Sequence, residues 1–309
     1  MIVFGGDYEH TLDMLATNGS LGELVYRARP LSDLYKMILS RGEFEASEFS
    51  LSNHIMYRDR GDSWLTAVPV FPSRVFRHSS VFVRKDSELH EFGQLAGKRV
   101  GVSEYTMTAA VWVRGIMLDD YGVHWRDIRW VSKMDKRFPP PTSVDLESSP
   151  DNLEDLLAAG SIDALLMPRP QDLRLPAKQR RFRPLLDNVQ AVERDYYERT
   201  GIFPIMHTVV VHRDALAKWP QAPEAIFELY SAGKQRALQR KLGASFLPWA
   251  DKQWDETVAF FDGDPLEFGL TPSNRRTVET LCRYLHEQEL IAGPVVDIEA
   301  LFAAGARNW

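Results

Sequence analysis

The chain has 309 residues, 44% hydrophobic and 26% charged, which is enough to bury one large core or two medium ones. Its 37 Lys and Arg against 43 Asp and Glu give a net charge of -6, and no basic run extends beyond Lys178 to Arg183, so a nucleic-acid partner is not expected. Cys282 is the single cysteine, which excludes an intrachain disulfide and a Cys-based metal cluster. No apolar run reaches the length of a membrane span, and the opening MIVFGGDYEHT has neither the basic nor the apolar region of a secretory signal, so a cytoplasmic location is expected.

In chain order, Ile2 to Phe4 reads as a strand leading into the polar loop GGDYEHT. Ser32 is placed to cap a helix over LYKMILSR that Gly42 stops. FEASEFSLS reads as a second strand with polar residues at its carboxyl end, and WLTAVPVF as a third. The stretch from Leu95 is one βα unit: a turn, a strand over Arg99 to Val102, a polar loop and a helix ended by Gly122. DKRFPPPTSVDLESS is a Pro-rich loop. A second βα unit follows, with Ser149 as cap, Pro150 at the first helical position, Gly160 as stop and Ile162 to Met167 as a buried strand. GIFPIMHTVVVHRD is another strand, and from Asp214 onward the pattern is helical.

Strands alternating with helices predict an α/β chain with mostly parallel sheets and ligands at the carboxyl ends of strands. Two strand-like crossings, near 79 to 84 and 203 to 211, enclose the middle segment. Residues 1–80 with 207–309 are therefore expected to form a discontinuous first lobe and 81–206 an inserted second one, with a central cleft between them.

Every polar cluster falls beside a predicted strand end or in a crossing. Asp7 and Tyr8, with Glu9 and His10, follow the first strand, and Ser50 and Ser52 follow the second. FPSRVFRHSS carries Arg74, Arg77, His78 and Ser79; read as extended chain, it sends Arg74, Phe76 and His78 to one side and Val75 and Arg77 to the other. Glu104, Tyr105, Met107 and Thr108 precede the Gly122-stopped helix, Arg169 follows the next strand, and His207 with Thr208 lies in the return crossing. Each has a plain structural reading too: a solvated arginine, a capping threonine at 106 or 108, a Glu104 favouring the helix dipole, a neutral His78 bonded to backbone.

Taken together they are expected on one edge, facing the cleft. Arg74 is the natural carboxylate clamp, because a guanidinium offers two parallel donors. The SEYTMTAA helix start is a second anion site. None of the eight histidines has HxH or HExxH spacing, which leaves only scattered residues such as His10, His78 and His207 for a metal, so no metal is expected. Nucleotide fingerprints and the GxSxG elbow are absent, and no cofactor is expected.

FPSRVFRHSSVFVR, GKRVGVSEYTMTAAVWVRGIM and TGIFPIMHTVVVHRD together resemble the 4,5-dihydroxyphthalate decarboxylase family, which is related to the type II periplasmic binding proteins. The resemblance implies a two-lobed binding-protein fold adapted to a cytosolic carboxy-lyase that acts on a small aromatic diacid and gives protocatechuate and CO2. Direct loss of CO2 would leave an aryl carbanion, whereas protonating the ring carbon first gives a dienone-like intermediate. Chemistry then makes His78 and His207 the candidates for acid and phenol partner, in either order, Arg74 and the Tyr105–Thr108 helix start candidates for the clamp, and Arg169 a candidate for the second carboxylate. Self-association is left open. The alternatives are a non-catalytic solute-binding or sensor protein for an aromatic carboxylate, and another cofactor-free decarboxylase on the same scaffold.

Overall fold

The computed structural model describes residues 1–16, 20–21, 24–62, 64–133, 137–241 and 248–305; Asp135 and Lys136 of the Pro-rich loop lie outside them. Its strands are β1 (Ile2–Gly5), β2 (Ser20–Leu21), β3 (Leu24–Ala28), β4 (Ala46–Ser50), β5 (Leu65–Val68), β6 (Val81–Arg84), β7 (Arg99–Val102), β8 (Arg129–Lys133), β9 (Leu146–Ser149), β10 (Ala164–Leu166), β11 (Phe182–Pro184) and β12 (His207–His212). The helices are α1 (Leu12–Ala16), α2 (Leu31–Leu39), α3 (Leu51–Asp59), α4 (Thr108–Tyr121), α5 (Leu153–Ala158), α6 (Val189–Thr200), α7 (Arg213–Lys218), α8 (Ala222–Lys241), α9 (Ala250–Phe261) and α10 (Pro272–Glu287).

The chain divides into two units, the first made of Met1–Arg74, Ile205–Val278 and Val296–Trp309, the second of Val75–Pro204 and Glu279–Val295. Residues 75–80 thus belong with the second unit, where Met167 N–H donates to the Ser80 carbonyl at 2.9 Å. So do 279–295, because Tyr284 packs edge-on against Trp112 and donates to Asp119 at 2.7 Å. Helix periodicity carries no information about which sheet a helix serves, and α10 changes unit part-way along its length.

The first unit holds a sheet in the order β2-β3-β1-β4-β12-β5, the second one in the order β11-β6-β10-β7-β8-β9. β1 pairs in parallel with β3 and β4, while β12 runs antiparallel to both β4 and β5. In the second sheet β7 pairs in parallel with β8 and β10, and β6 runs antiparallel to β10 and β11. The sheets are therefore mixed rather than mostly parallel. β6 and β12 begin where the chain enters a unit from the other one, and both enter as reversed strands.

Local chemistry explains most element ends. α4 stops at Gly122, which takes the left-handed conformation (φ 65°) that a side chain would strain. α5 is capped by Asn152, whose side chain accepts from Glu154 N–H, not by Ser149, which ends β9. β4 is wholly buried and closes at Ser50, so that Ser52 falls in the first turn of α3. FPSRVFRHSS is not a strand: Arg74 makes an isolated bridge to Ile205, and His78–Ser80 form a 3-10 turn. Arg74, Arg77 and His78 are consequently all buried, while Val75 is exposed. Among the described residues no helix is long and apolar enough to cross a membrane.

Two buried histidines make the fold sensitive to acid. His54 on α3 bonds the Leu301 carbonyl through Nε2 at 2.9 Å, and burial pushes its pKa down to about 4. Burial pushes His78 down to about 4 as well. Both charge near 6.5 when unfolded, so between these values the unfolded chain binds more protons. Their contribution is whole above about pH 6.5 and is lost as the pH falls toward about 4, on the order of 3 kcal/mol for each. The urea midpoint is expected to fall between about pH 7 and pH 5, and to fall less in His54→Gln, whose amide can keep the bond to Leu301 without titrating; equal acid sensitivity in that variant would refute the assignment.

Candidate functional site

In the first unit the site is built on a buried carboxylate. Glu48 lies in the centre of β4 with no exposed surface. Its Oε2 accepts from Gly6 N–H at 2.7 Å, and its Oε1 accepts from the Tyr8 hydroxyl and from His207 Nδ1, each at 2.6 Å. The sheet register makes the last contact: His207 opposes Ser50 and Val209 opposes Glu48, so Glu48 and His207 are diagonal neighbours on one face. An isolated buried carboxylate costs several kcal/mol, and three charge-assisted bonds at about 1.5 to 3 kcal/mol each offset that.

With Nδ1 bonded to Glu48, the nitrogen His207 retains for chemistry is Nε2, and its side chain keeps 15% of its surface exposed. Tyr35 packs edge-on against the imidazole at 5.6 Å. Tyr8 stacks on His10, with planes 4° apart, and burial followed by the Glu48 charge raises its phenol well above the usual range. Burial lowers the pKa of His10. Tyr8 reaches Glu48 because Gly6 has no side chain: a Cβ there would lie 2.5 Å from the Tyr8 ring.

The other expected residues of this unit divide. Ser50 and Ser52 join their hydroxyls at 3.2 Å. Arg74 donates through Nη1 to Asn274 Oδ1 at 2.6 Å, and the Asn274 amide is held by the carbonyls of Glu267 and Gly269. Thr208 commits its hydroxyl to the Val68 carbonyl, on the face of β12 opposite His207, and thus serves the sheet. Asp7 is exposed.

In the second unit, His78 and Ser79 precede β6, Glu104 to Thr108 follow β7 and Arg169 follows β10. These ends share one sheet edge, since Leu166 pairs with both Val81 and Val102. His78 is fully buried against Tyr196 and Phe92, and neither ring nitrogen has a partner among the described residues. Ser79 N–H donates to Glu193. Glu104 turns onto Thr106, accepting from its N–H and hydroxyl, with Arg137 at 3.9 Å. Met107, not a threonine, caps α4, without a side-chain bond, and Thr108 is its first helical residue. Tyr105 is buried beneath the Arg114 guanidinium, and Arg169 is exposed. Among the described residues no three His, Cys, Asp or Glu side chains gather as a metal site.

No family model matches the chain. A curated 4,5-dihydroxyphthalate decarboxylase of Comamonas testosteroni is 35% identical over 227 residues, covering 70% of this chain and 68% of that protein. The chain belongs to the 4,5-dihydroxyphthalate decarboxylase family. A second member, from Pseudomonas putida, is 32% identical over 155 residues, covering 47% of this chain and 60% of that one. Among solved structures, the periplasmic aliphatic sulphonate binding protein SsuA of Escherichia coli matches 100% of this chain and 98% of its own, at 13% identity and TM-score 0.59. The alkanesulfonate-binding SsuA of Xanthomonas axonopodis pv. citri matches 97% and 96%, at 14% identity and TM-score 0.55. The decarboxylase family member thus has a periplasmic-binding-protein-like fold.

Glu48 is the residue that sequence reasoning missed. In FEASEFSLS only Ser50 and Ser52, at the carboxyl end, stand out as site residues. The residues themselves carry no signal for it, because the burial of β4 on both faces, which leaves Glu48 in need of donors, follows from strand order.

Gly6→Ala is expected to push Tyr8 off Glu48 and to lower turnover by the same factor as Tyr8→Phe, with the double variant no worse than either single one. Steady-state kinetics of the three variants check this, and wild-type turnover in Gly6→Ala would show that the Tyr8–Glu48 bond is dispensable.

Proposed function

We propose that this chain is a carboxy-lyase that converts 4,5-dihydroxyphthalate to protocatechuate and CO2, with His207 as the acid. Membership in a family named for that decarboxylation supports the reaction, and the observation that carries the assignment to residues is the Tyr8–Glu48–His207 cluster. A histidine held at Nδ1 by a buried carboxylate presents Nε2 in a fixed direction, and Glu48 balances its charge when both nitrogens carry protons.

Each carboxylate of the substrate lies para to a hydroxyl. His207 Nε2–H delivers a proton to the ring carbon that bears the leaving carboxylate, and the para oxygen takes up the positive charge that develops. The bond to the carboxylate then breaks, its electron pair restores the aromatic ring and CO2 departs. One proton is consumed for each dianion converted to a monoanion. Arg74, fixed by Asn274, supplies positive charge in the same unit; in the second unit the start of α4 is by itself an anion-binding element. The partner is accordingly a small aromatic dianion, and a cytoplasmic location fits an enzyme of this kind.

Incubation with 4,5-dihydroxyphthalate should release CO2 and protocatechuate. His207→Asn and Glu48→Gln should retain substrate binding and each lose on the order of 100 to 10,000-fold in kcat, the range for a general acid. The fold is shared with solute-binding proteins, so binding by the wild type without turnover would replace this reading with that of a sensor. Full turnover in His207→Asn would remove the histidine from the mechanism.

A further inference from the structure

Arg114 sits in the middle of α4 with no exposed surface. Its Nε donates to Gln288 Oε1 at 2.7 Å, and Gln288 is fixed in turn by its own bond to the Val111 carbonyl. Neither Nη1 nor Nη2 has a hydrogen-bond partner among the described residues. The guanidinium lies 3.9 Å over the Tyr105 ring and 5.7 Å from Trp130, and Trp130 packs edge-on against Tyr105 at 5.9 Å. The Tyr105 hydroxyl is also buried and has no hydrogen-bond partner among the described residues.

This arrangement is costly if it only fills space. A buried cation normally sits on a carboxylate, and removing one from water costs several kcal/mol. Here the bonded partner is a neutral amide, and the Glu104 carboxylate, whose charge also acts on Arg114, is hydrogen-bonded to Thr106 instead. Cation–π contact recovers less than a full ion pair and its hydrogen bonds would supply. A methionine or leucine would fill the same volume without the charge, so the positive charge itself calls for a reason. Tyr105 supplies one, because it belongs to the Ser103–Met107 turn that leads into α4.

We propose that Arg114 is a positioning residue for anion recognition: its guanidinium clamps the face of Tyr105, and so holds the turn before α4 in shape while placing a fixed positive charge behind it, for a carboxylate of an aromatic diacid. The inference rests on the reading of that helix start as an anion subsite. The charge adds to the partial positive charge of the helix terminus, and the low dielectric around it leaves it little screened. Arg114 does not touch the ligand; it acts through Tyr105.

The test uses phthalate as a non-reacting dianion and catechol as an uncharged analogue, with calorimetric binding to the full chain. Arg114→Met is expected to weaken phthalate binding at least ~10-fold while catechol affinity changes less than ~2-fold, and to melt no lower than the wild type because a poorly paired charge has been removed. Arg114→Lys should recover part of the phthalate affinity. Tyr105→Leu should weaken phthalate as much as Arg114→Met, and the double variant no further. If Arg114→Met fails to fold, Arg114→Lys and Tyr105→Leu carry the same comparison. Unchanged phthalate affinity in the variants, equal losses for phthalate and catechol, or no phthalate binding by the wild type would each overturn the proposal. Turnover of 4,5-dihydroxyphthalate by the wild type is a separate measurement, so failure of the decarboxylase reading and failure of this one are distinguishable.

Discussion

The first unit depends on how a fully buried carboxylate is satisfied. Glu48 needs donors from outside its own strand, and the three come from two stretches of chain: Gly6 and Tyr8 in the loop after β1, and His207 at the start of β12. That requirement places β4 between β1 and β12 and explains the close approach at Gly6. Other buried carboxylates behave differently. Asp172 is satisfied by the backbone N–H groups of Arg181 and Phe182 and by the Arg181 guanidinium, and Glu154 by those of Gln171 and Asp172. Those bonds tie loops down, whereas Glu48 is bonded by a phenol and an imidazole, groups that can exchange protons.

The two units repeat one arrangement. In each, a strand that begins where the chain arrives from the other unit runs antiparallel to its neighbours, so its amino end lies beside their carboxyl ends. His207 beside Ser50 and Val81 beside Leu166 are the two instances. Polar residues just before or at the start of the reversed strand thereby join those that follow the parallel strands. The mixed pairing that departs from a parallel-sheet expectation is therefore what brings β12 and its histidine to the edge.

Burial distinguishes the two histidines that chemistry alone left equivalent. His78 is enclosed by Tyr196 and Phe92, and desolvation holds it neutral. An imidazole in that setting suits a packing role at the entry to β6. His207 keeps part of its surface open and has a carboxylate behind it. The difference lies in what surrounds each ring, not in the ring.

Much of the plan was legible in the residues. Gly122 as a helix stop and the strand over Arg99 to Val102 follow from local patterning, because turn chemistry and periodicity act over a few residues. Tertiary structure alone decided the rest. Glu48 was hidden because its partners lie 40 and 159 positions away, and its burial follows from strand order, not from FEASEFSLS itself. Arg114 was hidden likewise, since an arginine in a helix reads as solvated until both faces of α4 are covered. The transfer of residues 279–295 to the second unit has the same origin: an amphipathic helix specifies that a face be buried, and only the packed chain specifies against what.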